Sequence, residues 1–347
     1  MTYTEQVKQL FLNSEQLVRE ALQAERIQKM TKVQLDYIYE NELFHLLVPK
    51  DIGGAELDLP SFARLMERFA EVDGAIAWVI NLGAGANMFS GFMEKQAARD
   101  IFSNKRTCVA GSGAATGTAL SRDGSFVIDG HWKYASGSAH ANWFSLNAMI
   151  DGGDTYKSFL VPRNQVEILD TWHVYGLKAT TSCDFKIANA LVPSDFQFDL
   201  QNASDKRESP LYRFPFMILA EINMLVMLTG MTMNFSKKVL QYTSGKSITL
   251  PWYDEEICRV KESRDRVFEM LDMLWAGIVA GTDVDEKLSR KFSVEVNEAA
   301  NLCRMLVDKL YVYTGMSAVF EGNEISRIYR DFKVASQHGL LFPRNAV

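Results

Sequence analysis

The sequence predicts an α+β fold built from three successive regions: an N-terminal helical domain (residues 1–105), a small β-barrel domain (106–200) and a C-terminal four-helix bundle (208–347). Three observations support this. Apolar residues recur every three to four positions before residue 105 and after Pro210, as in amphipathic helices. The middle consists of short apolar segments bounded by Gly, Asp and Pro, which is typical of strands. Two blocks with little charge, GHWKYASGSAHANWF and WHVYGLKATTSCDF, interrupt these strands with glycines, hydroxyls and aromatic rings.

The N-terminal domain is predicted to contain several helices, one of them opened by Pro60. Its most apolar part is the uncharged run 74–93, which just reaches the roughly 20 residues that a bilayer span needs. Asparagines and glycines dilute this run, so a buried helix of a soluble protein is the better interpretation. The small residues after Trp78 favour close helix packing or close approach of a ligand.

The β-domain is predicted to hold five to eight strands of a barrel or sandwich. Its run Gly111–Gly117 superficially resembles a dinucleotide-binding loop, but such a loop must open a helix. The residues that follow favour a hairpin instead. We therefore expect these glycines to let backbone N–H groups approach a planar ligand closely.

The C-terminal bundle is predicted from four amphipathic segments in series, which most simply pack antiparallel. The segments are Met217–Ser244, Asp254–Gly281, Asp283–Thr314 and Ser317–Gln337. The first carries five methionines, a residue type that fits irregular apolar cavities but also fills ordinary cores. These are Met217, Met224, Met227, Met231 and Met233.

Composition excludes several functions. The net charge of −6 and the lack of a basic block argue against a nucleic-acid partner. The N-terminus has no signal-peptide pattern, and 23% charged residues are ordinary for a soluble protein, so we expect a cytoplasmic protein without a membrane partner. Neither the five histidines nor the four cysteines have metal-ligand spacing, so no metal site is expected.

Three groups of residues are candidates for a site. Ser136 carries a hydroxyl beside Gly137 and can hydrogen-bond a ligand ring nitrogen, or it belongs to an ordinary turn. Thr180, Thr181 and Ser182 can satisfy a polar ligand edge, or lie exposed in a turn. His338 shares a predicted helix face with Arg327 and Asp331, which fits either a proton-handling site or a salt-bridged surface. The composition of the two blocks suits a flat aromatic ligand such as a flavin.

Along nearly its full length the chain resembles the acyl-CoA dehydrogenase superfamily. The resemblance is carried by LVPKDIGG, DGAIAWV, the two barrel blocks, WHVYGLKATTSCDFKIANALVP and YRDFK, in that order. It implies a helical domain, a small β-barrel and a four-helix bundle, with flavin between barrel and bundle. It also implies a homotetramer or homodimer, because the bundle of such proteins packs on its copy.

Departures from the dehydrogenase pattern point to another branch. Ala110 stands where the family has a flavin-binding threonine, and Gly339 stands where the catalytic glutamate is usual. A glycine cannot remove an α-proton. Glu221 lies near an alternative position for the base, although Asn223 aligns more closely with it.

With these departures the chain resembles the flavin-dependent monooxygenases, a branch that includes two-component aromatic hydroxylases. The resemblance implies that Ser136 bonds near flavin N5 and that His338 acts as acid or base. Asn87 stands near a position where many members have a histidine, so it can hydrogen-bond there but cannot titrate. The remaining predicted cofactor contacts are Val109, Ala110, Ser112, Ala135, Thr180, Thr181 and Ser182.

The function predicted is therefore a flavin-dependent oxidoreductase that uses reduced flavin, as FAD or FMN, and O2 on an apolar or aromatic small molecule. A separate flavin reductase is a possible partner. Two alternatives stay open: an acyl-CoA dehydrogenase or oxidase with a displaced base, and a non-catalytic relative without flavin.

Overall fold

The N-terminal part of the chain is helical. The structure, a computed structural model, describes residues 3–200 and 208–342. The helices of this part are α1 (Tyr3–Ile27), α2 (Lys32–Glu40), α3 (Leu59–Val72), α4 (Gly74–Asn87) and α5 (Lys95–Phe102). Aspartates begin the two central helices: Asp58 caps α3, ahead of Pro60 in its first turn, and Asp73 caps α4 by accepting from the backbone N–H groups of Ala75 and Ile76.

The middle of the chain forms one eight-stranded sheet. Its strands run in the order β6-β7-β3-β2-β4-β5-β8, and β1 pairs in parallel with β4. The antiparallel pairing of β2 with β3 confirms the hairpin predicted after Gly117. The strands are β1 (Val109–Gly111), β2 (Gly117–Arg122), β3 (Ser125–Ala135), β4 (Trp143–Ile150), β5 (Tyr156–Pro162), β6 (Glu167–Leu169), β7 (Cys183–Pro193) and β8 (Gln197–Phe198).

The C-terminal part returns to helices and contains the four long ones predicted. They follow a single turn, α6 (Pro210–Arg213), and are α7 (Phe216–Ser244), α8 (Tyr253–Val279), α9 (Glu286–Tyr311) and α10 (Glu324–Ala335). The last helix begins seven residues later than predicted because Met316–Val319 form a separate 3-10 turn, and Asn323 then caps α10. The predicted α+β class is confirmed; the division into domains at residues 105 and 208 stays a proposal.

Two helical segments, 74–92 and α7, are long and apolar enough to cross a membrane by length and composition alone. In these segments 72% and 78% of the apolar window is buried inside the protein. Their apolar character is therefore explained by burial in the core, where α7 packs against α3, α9 and α10.

Candidate functional site

A cavity of about 1770 Å³ lies between the edge of the sheet and one face each of α4 and α7. Ligand pockets commonly enclose about 300–1,000 Å³, so this space has room for more than one small molecule. Its helical wall includes Asn81, Gly85, Leu219 and Asn223. A Cβ atom built on Gly85 or on Gly113 across the cavity would meet no atom within 4 Å. These glycines therefore leave space that a ligand can fill.

Ser136 lines this cavity at the end of β3. The chain turns back there through Gly137, whose φ of +82° favours glycine and whose N–H donates to the carbonyl of Thr180 over 2.8 Å. The Ser136 hydroxyl is 2.7 Å from that of Ser182, which in turn is 2.8 Å from that of Thr180. The two aromatic blocks thus meet in a chain of three hydroxyl groups.

In one arrangement of this hydroxyl chain, the direction of its hydrogen bonds follows from its two ends. The Trp78 indole N–H can only donate, and it donates to Ser136 Oγ over 3.1 Å. Thr180 Oγ1 donates to the carbonyl of Leu177 over 2.8 Å. In this arrangement Ser136 donates to Ser182, so its remaining lone pair can accept a hydrogen bond from a ligand N–H.

The hydroxyl chain can also run the other way. The Leu177 carbonyl already accepts from the Trp172 indole over 3.0 Å and from the Thr180 backbone N–H over 3.1 Å. It therefore keeps its partners if Thr180 turns its proton towards Ser182. Ser136 would then donate into the cavity. The same three hydroxyl groups can therefore hydrogen-bond either a ring nitrogen that carries a proton or one that does not.

Trp78 contacts Ser136 and His338, two of the three residues predicted to be catalytic, the third being Asn87. Besides its bond to Ser136, its ring lies edge-on to His338 with centroids 5.9 Å apart. The local sequence around Trp78 favours a packing role, so its part in the site was missed. A signal was present, because Trp78, Asn81 and Gly85 are separated by three and four positions and share one face of α4.

His338 lines the same cavity as Ser136. It lies beyond the end of α10, where it caps a single 3-10 turn by accepting at Nδ1 from the N–H of Leu340 over 3.3 Å. A backbone N–H always donates, so the neutral ring carries its proton on Nε2. Burial lowers the pKa of His338 below its usual range. The geometry and the pKa both favour a neutral imidazole that donates from Nε2.

The predicted pairing of Arg327 with Asp331 is present but serves another purpose. Both are buried, and the guanidinium bridges Asp331 to Asp73 at the start of α4. Asp331 also accepts from the backbone N–H of Leu177 over 2.6 Å. These ion pairs therefore fix α4, α10 and the Thr180 turn relative to one another, and so hold Trp78 and the hydroxyl chain in place.

The predicted cofactor contacts divide into two sets. Val109, Ala110, Ser112 and Ser136 line the cavity. The others lie behind that wall and are not among the lining residues: Ala135, Thr180, Thr181 and Ser182. Thr180 and Ser182 are connected to the cavity wall by the hydrogen bonds that lead to Ser136. The Thr181 hydroxyl instead donates to the carbonyl of Gln28 over 2.9 Å. Their roles towards a cofactor stay predictions.

Asn87 does not line the cavity, which corrects its expected placement in the site. Its Nδ2 donates to the carbonyl of Thr107 over 2.8 Å, and its Oδ1 accepts from the N–H of Val109 over 3.0 Å. The side chain is fully buried. Both ends of the amide therefore hold the entry to β1, and neither is left for a substrate.

Of the five methionines on α7, only Met217 and Met224 line the cavity. Met227 and Met231 are buried in the core and Met233 packs against it, so core packing, the other interpretation left open by the sequence, accounts for these three. Met217 and Met224 are seven positions apart, close to two helical turns, and therefore lie on the same face of α7.

Glu221 also faces away from the cavity. It is buried, and its carboxylate accepts from the Ser293 hydroxyl over 2.6 Å. Among the described residues, the carboxylates that line the cavity are Glu94, Asp154 and Asp199, and none belongs to α7 or to the His338 turn. Glu94 is occupied in capping α5.

The residues of the cavity fit a flavin. Along one wall stand the backbone of β1 and the Ser136 hydroxyl, which supply hydrogen-bonding groups to a ring edge. Opposite them the α4 and α7 side chains are mainly apolar or small. The remaining volume beyond a ring system is sufficient for a second small molecule.

Comparisons with known proteins agree with this geometry. The family model "Acyl-CoA dehydrogenase, C-terminal domain" matches residues 259–342. The chain is 23% identical over 316 residues to indole-3-acetate monooxygenase of Acinetobacter baumannii, covering 86% of this chain and 81% of the relative. It is 23% identical over 351 residues to the flavin-dependent monooxygenase oxygenase subunit HsaA of Rhodococcus jostii, covering 94% and 92%.

Among solved structures, the fold is similar to that of XiaF from a Streptomyces species in complex with FADH2 and glycerol. The TM-score is 0.87 at 20% sequence identity, over 98% of this chain and 92% of XiaF.

Proposed function

We propose that this chain is a flavin-dependent monooxygenase of the acyl-CoA dehydrogenase superfamily of flavoproteins. It would use reduced flavin and O2 to insert one oxygen atom into an apolar or aromatic small molecule. One observation carries the proposal: Ser136 and His338 line a single cavity, with Trp78 in contact with both. The relatives named as monooxygenases support the same reaction class.

Bound reduced flavin supplies the electrons that allow O2 to react with an organic molecule. The protein's part is to hold the ring, protect it and handle protons. Ser136 would accept from the ring N–H at N5, with Trp78 and Ser182 fixing its orientation. Val109, Ala110 and Ser112 would contact the ring edge. Both FAD and FMN fit this arrangement.

His338 is proposed to act through its Nε2 proton. A neutral imidazole that donates can stabilise negative charge as it forms on oxygen, and it can pass that proton on. The apolar wall would keep water away from the reacting atoms, which prevents wasteful release of peroxide.

The alternative of an acyl-CoA dehydrogenase requires a carboxylate beside the substrate. Glu221 is buried against Ser293 outside the cavity wall. Gly339 has no side chain that could replace it. The described residues thus offer no base at either expected position, and this favours the monooxygenase.

The test is an anaerobic titration with reduced flavin followed by mixing with O2. The proposal predicts tight binding of reduced flavin and a clear lag before the absorbance of oxidised flavin returns. Loss of flavin absorbance on anaerobic addition of an acyl-CoA would instead establish the dehydrogenase. Protein that binds no flavin in any redox state would establish the non-catalytic alternative.

We further propose a separate flavin reductase as partner, which the name "oxygenase subunit" of the relative supports. A homotetramer or homodimer in the cytoplasm is also proposed. Exposed apolar side chains on α8 and α9, among them Met273, Val294 and Met305, support association through the bundle. Sedimentation velocity measures the oligomeric state, and a monomer would contradict the proposal.

A further inference from the structure

Two buried amides in the helical wall of the cavity lack hydrogen-bond partners. Asn81 on α4 is 1% exposed and Asn223 on α7 is 4% exposed, and both line the cavity. The Oδ1 atom of each is closed to solvent and accepts from no donor in the described protein. Such groups are uncommon, because a buried polar atom without a partner is costly.

One hydrogen bond links the two residues but leaves both side-chain oxygens without a donor. Asn81 Nδ2 donates to the backbone carbonyl of Asn223 over 3.1 Å and so ties α4 to α7. This bond fixes the Asn81 amide, whose oxygen stays unpaired. The Asn223 side chain makes no hydrogen bond in the described structure, so no such bond opposes rotation of its amide.

The position of the pair suits a ligand that reacts near Ser136. Asn81 lies three residues after Trp78, about 5 Å further along α4, on the same face. The neighbouring lining residues Leu82, Leu219 and Met224 are apolar. The pair is therefore a polar point in an apolar wall, and its Asn81 lies one helical turn from Trp78.

We propose that Asn223, held beside Asn81, is the polar anchor of the substrate: its amide, which no side-chain hydrogen bond fixes, turns its oxygen into the cavity and accepts a hydrogen bond from an O–H or N–H group on an otherwise apolar aromatic molecule. The inference rests on the proposed function, since it assigns the same cavity to the substrate. The Asn223 oxygen has no donor within the described protein, so a ligand donor supplies what the site lacks. Because the amides are uncharged, the anchor selects a neutral donor and disfavours an anion such as a phenolate or carboxylate.

The experiment compares two pairs of ligands that differ in the donor: indole with benzothiophene, and 2-naphthol with 2-fluoronaphthalene. Affinities are measured by calorimetry on protein saturated with reduced flavin under anaerobic conditions. The affinity ratio of a pair is the affinity of the ligand with the N–H or O–H group divided by that of the ligand without it. In the wild type this ratio is expected to exceed one for at least one pair. In Asn223→Leu the ratio should fall about fivefold, as expected for the loss of one net hydrogen bond.

Stability separates an anchor from a structural role. Asn223→Leu removes an unpaired buried oxygen and no hydrogen bond of the side chain, so its thermal stability should equal or exceed that of the wild type. The matched control is Asn297→Leu, since Asn297 has an unpaired buried Oδ1 too but lies outside the cavity wall. It should leave both affinity ratios unchanged.

A ratio that falls only for indole identifies N–H as the donor, and one that falls only for naphthol identifies O–H; either supports the anchor. Affinity ratios that are unchanged within twofold in both pairs overturn the anchor, as does wild-type protein that binds none of the four ligands.

The outcomes also separate the anchor from the proposed function. If the ratio falls but flavin reoxidation shows no lag, the proposed function fails and the anchor stands. If a lag is seen with unchanged ratios, the proposed function stands and the anchor fails.

Discussion

Replacing Ser136 by alanine tests the hydroxyl chain at the point where it meets the cavity. The change removes a bond of 3.1 Å from Trp78 and one of 2.7 Å to Ser182. Trp78 is only 6% exposed, so its indole N–H would lose its partner unless water entered from the cavity. The expected loss of stability is about 1–2 kcal/mol, which corresponds to a Tm lower by roughly 1–3 °C for a chain of this length.

The same change is also expected to speed the return of oxidised flavin. Without Ser136 the ring nitrogen loses one hydrogen bond of about 1 kcal/mol, so oxidised flavin should return about two- to tenfold faster after mixing with O2. Peroxide yield should rise in parallel. Stopped-flow absorbance measures the rate, and a peroxidase-coupled assay measures the peroxide.

Ser138→Ala provides the matched control. Ser138 lies two residues away, is fully buried, and donates to the Thr181 carbonyl over 2.6 Å, but it does not line the cavity. It should lower Tm by a similar amount without changing the reoxidation rate. Equal reoxidation rates in wild type, Ser136→Ala and Ser138→Ala would refute the role given to Ser136.

Three further predictions concern the surroundings of Ser136. Ser182→Ala breaks the chain behind Ser136 without touching the cavity wall, so reoxidation should accelerate less than in Ser136→Ala; an equal or larger acceleration would contradict the proposed order of the chain. Burial lowers the pKa of His338, so the folded protein binds its proton less readily than the unfolded chain. Stability is therefore lost as pH falls below about 6.5, the ordinary histidine pKa, and His338→Gln should flatten this part of the denaturation profile; identical profiles would count against it. Arg327→Met should cost about 3–5 kcal/mol in urea unfolding, because it leaves the buried carboxylates of Asp73 and Asp331 without their cation; a cost below about 1 kcal/mol would show that the ion pairs do not hold these elements.

The helices and the hairpin follow from local features of the sequence. Capping residues such as Asp58 and Asp73 mark helix starts, and apolar spacing marks helix length. The turn chemistry after Gly117 is enough to separate a hairpin from a dinucleotide loop. These features act within a few residues, so a single sequence contains them.

The site depends on contacts between distant segments, which a single sequence does not contain. Asn87 illustrates this, because its neighbour Ala86 lines the cavity while Asn87, about 100° further round α4, faces the start of β1. An error of one residue in a resemblance is enough to exchange the two. Trp78 is likewise visible as an aromatic residue, but its bond to Ser136 spans 58 positions.

A crystal structure of the protein with reduced flavin, prepared without oxygen, would test the proposed site at its centre. We predict the flavin ring in the cavity between β1 and the α4–α7 face, with N5 about 2.7–3.2 Å from Ser136 Oγ and with His338 beside the ring. A flavin bound elsewhere on the protein, or a ring whose N5 faces away from Ser136, would contradict this prediction.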